Sequence, residues 1–152
     1  MKYDQSILFK MSFLELIGAI FVRAQLIEQI LRELIMKKES YIIPVNFDRK
    51  GFGWLLVECA KLYPEIKENK VPPEWQDVDM SLYSTLNDAK DTRDSAAHGD
   101  YLAYVTIKEL MPGKHYKGMD RLTVKTTRKS AMVMDNALIE LWNFRAGLKK
   151  IS

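Results

Sequence analysis

"DQSILFKMSFLELIGAIFVRAQLIEQILRELIMKK", residues 4 to 38, decides the fold class. Ile7, Met11, Leu14, Ile17, Phe21, Ala24, Ile27, Leu31 and Leu34 recur every three or four positions. That is the period of an amphipathic α-helix. No proline interrupts the run, and Gly18 is its one weak point. One long helix over residues 4–38 is therefore expected. Ile20, Ile30 and Ile35 widen the apolar stripe beyond what one packing partner would cover. Several neighbours are implied, and a second copy of the chain is one candidate.

Outward from this helix the pattern stays helical. "ESYIIPVNFDR", residues 39–49, breaks the period, and Pro44 with the β-branched pair Ile42–Ile43 predicts an extended loop. Phe52, Leu55, Leu56, Cys59 and Leu62 predict a short second helix over about 50–62. Pro64, Pro72 and Pro73 mark a connection. A third helix is expected from Asp77–Ser81 to His98, with Met80, Leu82, Tyr83, Leu86 and Ala89 as its apolar side. Gly99 is a natural stop. "MPGKHYKGMD" reads as a turn-rich loop and "RLTVK" as a short extended piece. Thr126 or Thr127 is positioned to cap a last helix reaching about Lys149, with Ala131, Met134, Leu138, Leu141, Trp142, Arg145 and Leu148 as its stripe. The expectation is one all-α domain over 1–152, a four- to five-helix up-down bundle with a long first helix.

Composition narrows the function. The single cysteine, Cys59, excludes an internal disulfide and a cysteine-rich zinc site, which suits a reducing compartment. The apolar run from Phe13 to Val22 is short and contains Glu15, so neither a signal peptide nor a membrane span is expected, and a cytoplasmic protein is. The net charge of +3 is unevenly spread: residues 1–107 carry −3 and residues 108–152 carry +6. Lys114, Lys117, Arg121, Lys125, Arg128 and Lys129 cluster with only Asp120 opposing, a patch able to meet the phosphates of RNA or to stand as a solvated basic loop. The chain holds no P-loop, no Gly-rich dinucleotide turn, no HExxH and no GxSxG. His115 reads as an exposed loop histidine, and Trp54, Trp75 and Trp142 as core or interface residues before base-stacking ones.

One segment carries candidate chemistry. In "TRDSAAHGDY", residues 92–101, the steps Leu82, Leu86, Ala89, Arg93 place an arginine on the apolar stripe of the third helix. Asp94 and His98 are i and i+4, and so neighbours. Arg93 and His98 are roughly 140° apart around the helix. One reading is structural: the stripe ends at Ala89, Arg93 is exposed, and Asp94–His98 is a surface pair. The other is chemical. A carboxylate fixes the tautomer of His98 and holds its proton affinity near neutrality, which makes a general acid or base. Arg93 offers a planar donor fork for a phosphate. Arginine with histidine, and no metal or other cofactor, suits cleavage of RNA by its own 2′-hydroxyl.

"RDSAAH", residues 93–98, resembles the R-x4-H motif of the HEPN superfamily, in which a polar residue often follows the arginine; Arg93, Asp94 and His98 match those positions. The helix plan is similar as well: HEPN domains are small all-α bundles with a long first helix and the motif at the end of a later helix. The resemblance implies a metal-independent endoribonuclease acting as a homodimer, with motifs from both subunits facing one cleft. It also implies a prokaryotic toxin or phage-defence setting in which an antitoxin protein is a possible partner. The alternative is a non-catalytic HEPN-like dimer that binds RNA, a nucleotide or a protein. In members paired with a minimal nucleotidyltransferase antitoxin the motif extends to His-x-Tyr. Here that position is Asp100, with Tyr101 one residue later, so modification of that tyrosine is not implied. Many members carry a polar residue of the first helix near the site, for which Arg23, Gln25 and Glu28 are candidates.

Overall fold

The chain folds around its first long helix. The computed structural model describes residues 5–75, 77–97, 110–111, 113–114 and 123–151. Within them, α1 spans Phe13–Met36, α2 Phe52–Leu62, α3 Leu82–Ala97 and α4 Val124–Ile151, with short 3-10 turns at Gln5–Lys10, Phe47–Arg49, Pro64–Lys67 and Pro73–Trp75. No strand occurs among the described residues. The protein is an all-α bundle, and no helix among the described residues is long and apolar enough to cross a membrane.

α1 packs on α2, α3 and α4 at once. Leu16, Ala19, Ile20, Ala24, Ile27, Ile30, Leu31, Leu34 and Ile35 are all buried along it. The width of the stripe is thus accounted for inside one chain and needs no second copy. α4 lies along α1, burying Ala131, Met134, Ala137 and Leu141, and also packs on α3. Two side-chain links ten residues apart on each helix, Arg23 to Asp135 and Glu33 to Arg145, show that α1 and α4 run in the same direction. Phe52, Leu55, Leu56 and Cys59 of α2 close the remaining side.

Several boundaries differ from the expected ones, for local reasons. The first helix starts at Phe13, not at residue 4. Ser12 accepts a hydrogen bond from the Glu15 backbone N–H (3.2 Å), and the Glu15 carboxylate accepts one from the Ser12 N–H (3.2 Å). This reciprocal capping box satisfies two amides that would otherwise need a preceding turn, so the helix begins there. Residues 5–10 form instead a separate turn laid along the first half of α4, where Gln5 Nε2 donates to Asn136 Oδ1 (2.8 Å) and Leu8 is fully buried. The change of register leaves Ile7 and Leu14 exposed, although the period put both on the apolar stripe.

α3 starts at Leu82, because Ser81 accepts from the Ser84 N–H (3.1 Å) and is itself held by Asp79, which accepts from the Ser81 N–H (2.9 Å). Met80 precedes this cap and is exposed instead of lying on the apolar face. α4 starts earlier than expected. Thr123, not Thr126 or Thr127, is its cap, with its hydroxyl accepting from the Thr126 N–H (3.0 Å). Thr127 is buried and donates its hydroxyl to the Thr123 carbonyl (2.9 Å). Val124 and Lys125, expected to be extended, are therefore helical, while Arg121 and Leu122 of that piece lie outside the described residues. Trp142, placed on the α4 stripe by periodicity, is exposed, with the Arg145 guanidinium 4.4 Å from its ring centre.

Among the described residues, a charge pair lies in the core. Asp135 is 1% exposed, and its Oδ1 accepts from Arg23 Nε across the α1–α4 contact. Its Oδ2 is buried with no hydrogen-bond donor among the described residues. Removing one partner of such a pair strands the other charge, whereas replacing both with apolar groups is often neutral. Asp135→Ala should therefore destabilise the fold by about 3–5 kcal/mol in urea titrations. The double variant Arg23→Met with Asp135→Leu should recover most of that loss.

Burial pushes the Cys59 thiol from its ordinary 9.0 up to about 12. Tyr63 is shifted upward as well, first by burial. A raised acid of this kind contributes stability that is fully present below the unfolded thiol's value of 9.0 and is lost as pH climbs towards about 12. The urea midpoint of the parent should fall between about pH 8 and about pH 10.5, and Cys59→Ala should fall less over the same interval.

Candidate functional site

The last turns of α3 hold the Arg93–Asp94 pair. Leu82, Leu86, Ala89 and Ala96 are the buried positions of this helix, so Arg93 falls on the inward face between two alanines. These small side chains leave room for the arginine stem to lie along the helix towards α1. The guanidinium does not stay exposed beyond the end of the stripe. Its side chain is only 27% accessible and meets two carboxylates, with Nη2 lying 3.9 Å from Glu28 Oε1 and Nε 3.1 Å from Asp94 Oδ1. The second contact is close but misaligned, and Nε is buried without a hydrogen-bond acceptor among the described residues. Electrostatic attraction, not a formed hydrogen bond, joins these neighbours in sequence.

The pair belongs to a longer chain of alternating charge. Arg32 lies 3.6 Å from Glu28 and donates through Nη2 to the Lys50 carbonyl (2.8 Å) just before α2. On the other side, Lys90 Nζ lies 3.9 Å from Asp94 and 3.3 Å from Asp91. Lys90 also runs close to the start of α2, where a Cβ at Gly53 would meet its Cδ at 3.5 Å. Arg32, Glu28, Arg93, Asp94, Lys90 and Asp91 thus alternate in sign along a line that ties α1 to α3. A guanidinium compensated in this way holds its position without a bound anion, and an incoming phosphate would have to compete with, or add to, the two carboxylates.

The structure chooses among the first-helix candidates. Glu28 reaches Arg93, Arg23 turns to α4 and Asp135, and Gln25 is exposed. Arg32 was not anticipated, and its only signal in the sequence is the i, i+4 spacing from Glu28. His98 follows Ala97 directly but lies outside the described residues, as do His115, Lys117 and Arg121. The expected Asp94–His98 contact therefore has no geometry here, while Asp94 itself is turned towards Arg93 and Lys90. Of the basic cluster, Lys114 is exposed, and Lys125, Arg128 and Lys129 occupy the first two turns of α4. Trp54 is half-buried, edge-on to Phe47 at 6.1 Å, and Trp75 is exposed.

No protein-family model matches the chain, and neither a curated protein nor a solved structure matches it at a significant level.

The Glu28–Arg93 link is partly buried, so it is worth more than a surface pair but far less than a sealed one. A double-mutant cycle on Glu28→Gln and Arg93→Gln should return a coupling energy of about 1 kcal/mol. A coupling near zero would leave α1 and α3 joined by apolar packing alone.

Proposed function

We propose that the chain is a HEPN-type endoribonuclease that cleaves RNA through attack of the 2′-hydroxyl, with no metal in the reaction, as a homodimer in the cytoplasm. The observation that supports this most directly is the Arg93 guanidinium, held at the end of α3 between Glu28 and Asp94 and still partly open to solvent, one turn before His98 in the sequence. In the proposed reaction His98 takes the proton of the 2′-hydroxyl. The 2′-oxygen bonds to phosphorus, and the bond from phosphorus to the 5′-oxygen breaks. The leaving oxygen receives its proton from the second subunit's His98. The products are a 2′,3′-cyclic phosphate and a 5′-hydroxyl.

Arg93 stabilises the charge that builds on the phosphorane oxygens, because a preorganised donor in a site shielded from water acts most strongly where charge develops. Asp94 orients His98, and Glu28 keeps the guanidinium from collapsing onto Asp94 alone. Lys114, Lys117, Arg121, Lys125, Arg128 and Lys129 follow the RNA backbone. A toxin or phage-defence role, with an antitoxin protein as partner, rests on the resemblance of "RDSAAH" to the HEPN motif.

A second reading is a HEPN-like dimer that binds RNA, a nucleotide or a protein without cutting it. It is favoured by the same two carboxylates, since they already balance the charge of Arg93 in the absence of a phosphate.

The two readings separate at His98. His98→Ala should lower the cleavage rate by about 10²–10⁴-fold, as loss of a general acid–base does. Its stability should stay within about 1 kcal/mol of the parent. Arg93→Ala should also inactivate, and Asp94→Ala should have the smaller effect. Cleavage should survive a strong chelator and should fail on an oligonucleotide with a 2′-deoxy sugar at the cut site. Sedimentation should show a dimer at micromolar concentration. RNA that is bound by the parent protein but never cut would leave the binding reading in place, and full activity in His98→Ala would overturn the role given to that histidine.

A further inference from the structure

We propose that Phe9 and Arg128 form a stacking platform for an unpaired RNA base, flanked by Lys10, Lys125 and Lys129 as phosphate contacts. The inference rests on the RNA reading above and specifies where, and in which form, the strand is held. Phe9 is 61% exposed although its neighbour Leu8 is fully buried. This exposure is built in. The turn carrying Phe9 is anchored by Leu8 in the core, by Gln5 on Asn136, and by the Leu8 carbonyl, which accepts from Arg128 Nε (3.4 Å). A phenylalanine fixed outward between such anchors cannot turn in to join the core.

Arg128 completes the platform. Its guanidinium carbon lies 4.7 Å from the Phe9 ring centre. This cation–π contact holds the guanidinium in place over the ring. Most of the Phe9 surface still faces solvent.

The electrostatics of α4 point to an anionic occupant. The N-terminus of a helix carries partial positive charge, so acidic residues are favoured in its first turns and basic ones are not. α4 has no acidic residue in its first turn, and Lys125, Arg128 and Lys129 stand in its first two turns. Its first carboxylate is Asp135, which is buried and engaged with Arg23. Lys10, Lys125 and Lys129 are exposed. Cations placed against the local dipole raise the free energy of the empty surface, and a phosphate chain relieves it. Aromatic rings set among cations are the means by which proteins hold single strands, where bases have free faces to stack. A duplex keeps those faces covered and gains nothing from Phe9. An acidic protein segment would use the charges and not the ring.

The test is fluorescence anisotropy with a fluorescein-labelled single-stranded RNA of about 12 nucleotides, within the range one strand-binding site covers, in a His98→Ala background that prevents cutting. Phe9→Ala should weaken binding about tenfold without changing the slope of log K against log salt, since one stacked base is lost and no charge is. Phe9→Trp should bind at least as tightly as the parent. Lys129→Gln should both weaken binding and reduce the slope by about 0.7, the contribution of one phosphate contact on a single strand. On an abasic strand of the same length the effect of Phe9→Ala should vanish. Phe9 is exposed, so the Phe9 variants should melt with the parent, and matched thermal scans check that. Equal binding by Phe9→Ala and parent, or an equal loss on the abasic strand, would overturn the platform and leave the RNA reading standing. Displacement of the RNA by a poly-glutamate peptide as readily as by polyuridylate would also overturn it, because the surface would then select charge alone. A parent protein that binds no RNA in any salt would end both the RNA reading and the platform.

Discussion

The apolar surface of α1 is too wide for one neighbour to cover, and this constraint organises the molecule. A helix with one buried stripe lies on the outside of a bundle. One whose nine buried positions cover an arc of roughly 160° is shared by several neighbours instead. α2, α3 and α4 each take a sector of it. The other boundaries adjust to that requirement. The turn at residues 5–10 folds back so that Leu8 can enter the core, and α4 extends far enough to run alongside α1 over its length.

The polar residues on the shoulders of α1 then set how each neighbour sits. Arg23 engages Asp135 of α4, Glu28 meets Arg93 of α3, Arg32 holds the carbonyl before α2, and Glu33 binds Arg145 farther along α4 (2.6 Å). Apolar burial is non-directional and tolerates sliding. Charge and hydrogen-bond partners tolerate it much less, because a shift of one turn would leave half-buried guanidinium groups without acceptors. The candidate site is one of these register contacts. Arg93 thus ties α3 to α1, and in the proposed reaction the same guanidinium would also meet the phosphate at the helix end.

That double role bears on chemistry. A catalytic arginine must be in place before the transition state forms, since reorganising it then would cost part of what it contributes. If Arg93 acts as proposed, its contacts with Glu28 and Asp94 would supply this preorganisation. It also lowers the net charge that the arginine presents, so most of the attraction for a polyanion has to come from elsewhere. The first turns of α4, with Lys125, Arg128 and Lys129 and no acidic residue in the first turn, are suited to that task.

Much of the bundle was legible in the sequence because helical periodicity is a local property. The existence of all four described helices, the burial of Cys59 and Ala131, and the polar character of the motif segment could be read from spacing alone. The S-x-x-E signature of Ser12 and Glu15 was legible too, though an unbroken apolar period over residues 4–38 masked it. Periodicity says which residues share a face, but not which face will meet another helix. That is why Trp142 is exposed despite fitting the pattern, while Ile7, Leu14 and Met80 are exposed because the caps at Ser12 and Ser81 start their helices later than the period suggested. Nor could spacing choose among Arg23, Gln25 and Glu28, because the answer lies across the chain, on Asp135 and Arg93. The sequence by itself determined the helices and the residue types at the motif. Only the tertiary structure decided the partners of each charge, because a guanidinium is paired by whichever carboxylate the packing of distant helices brings within about 4 Å.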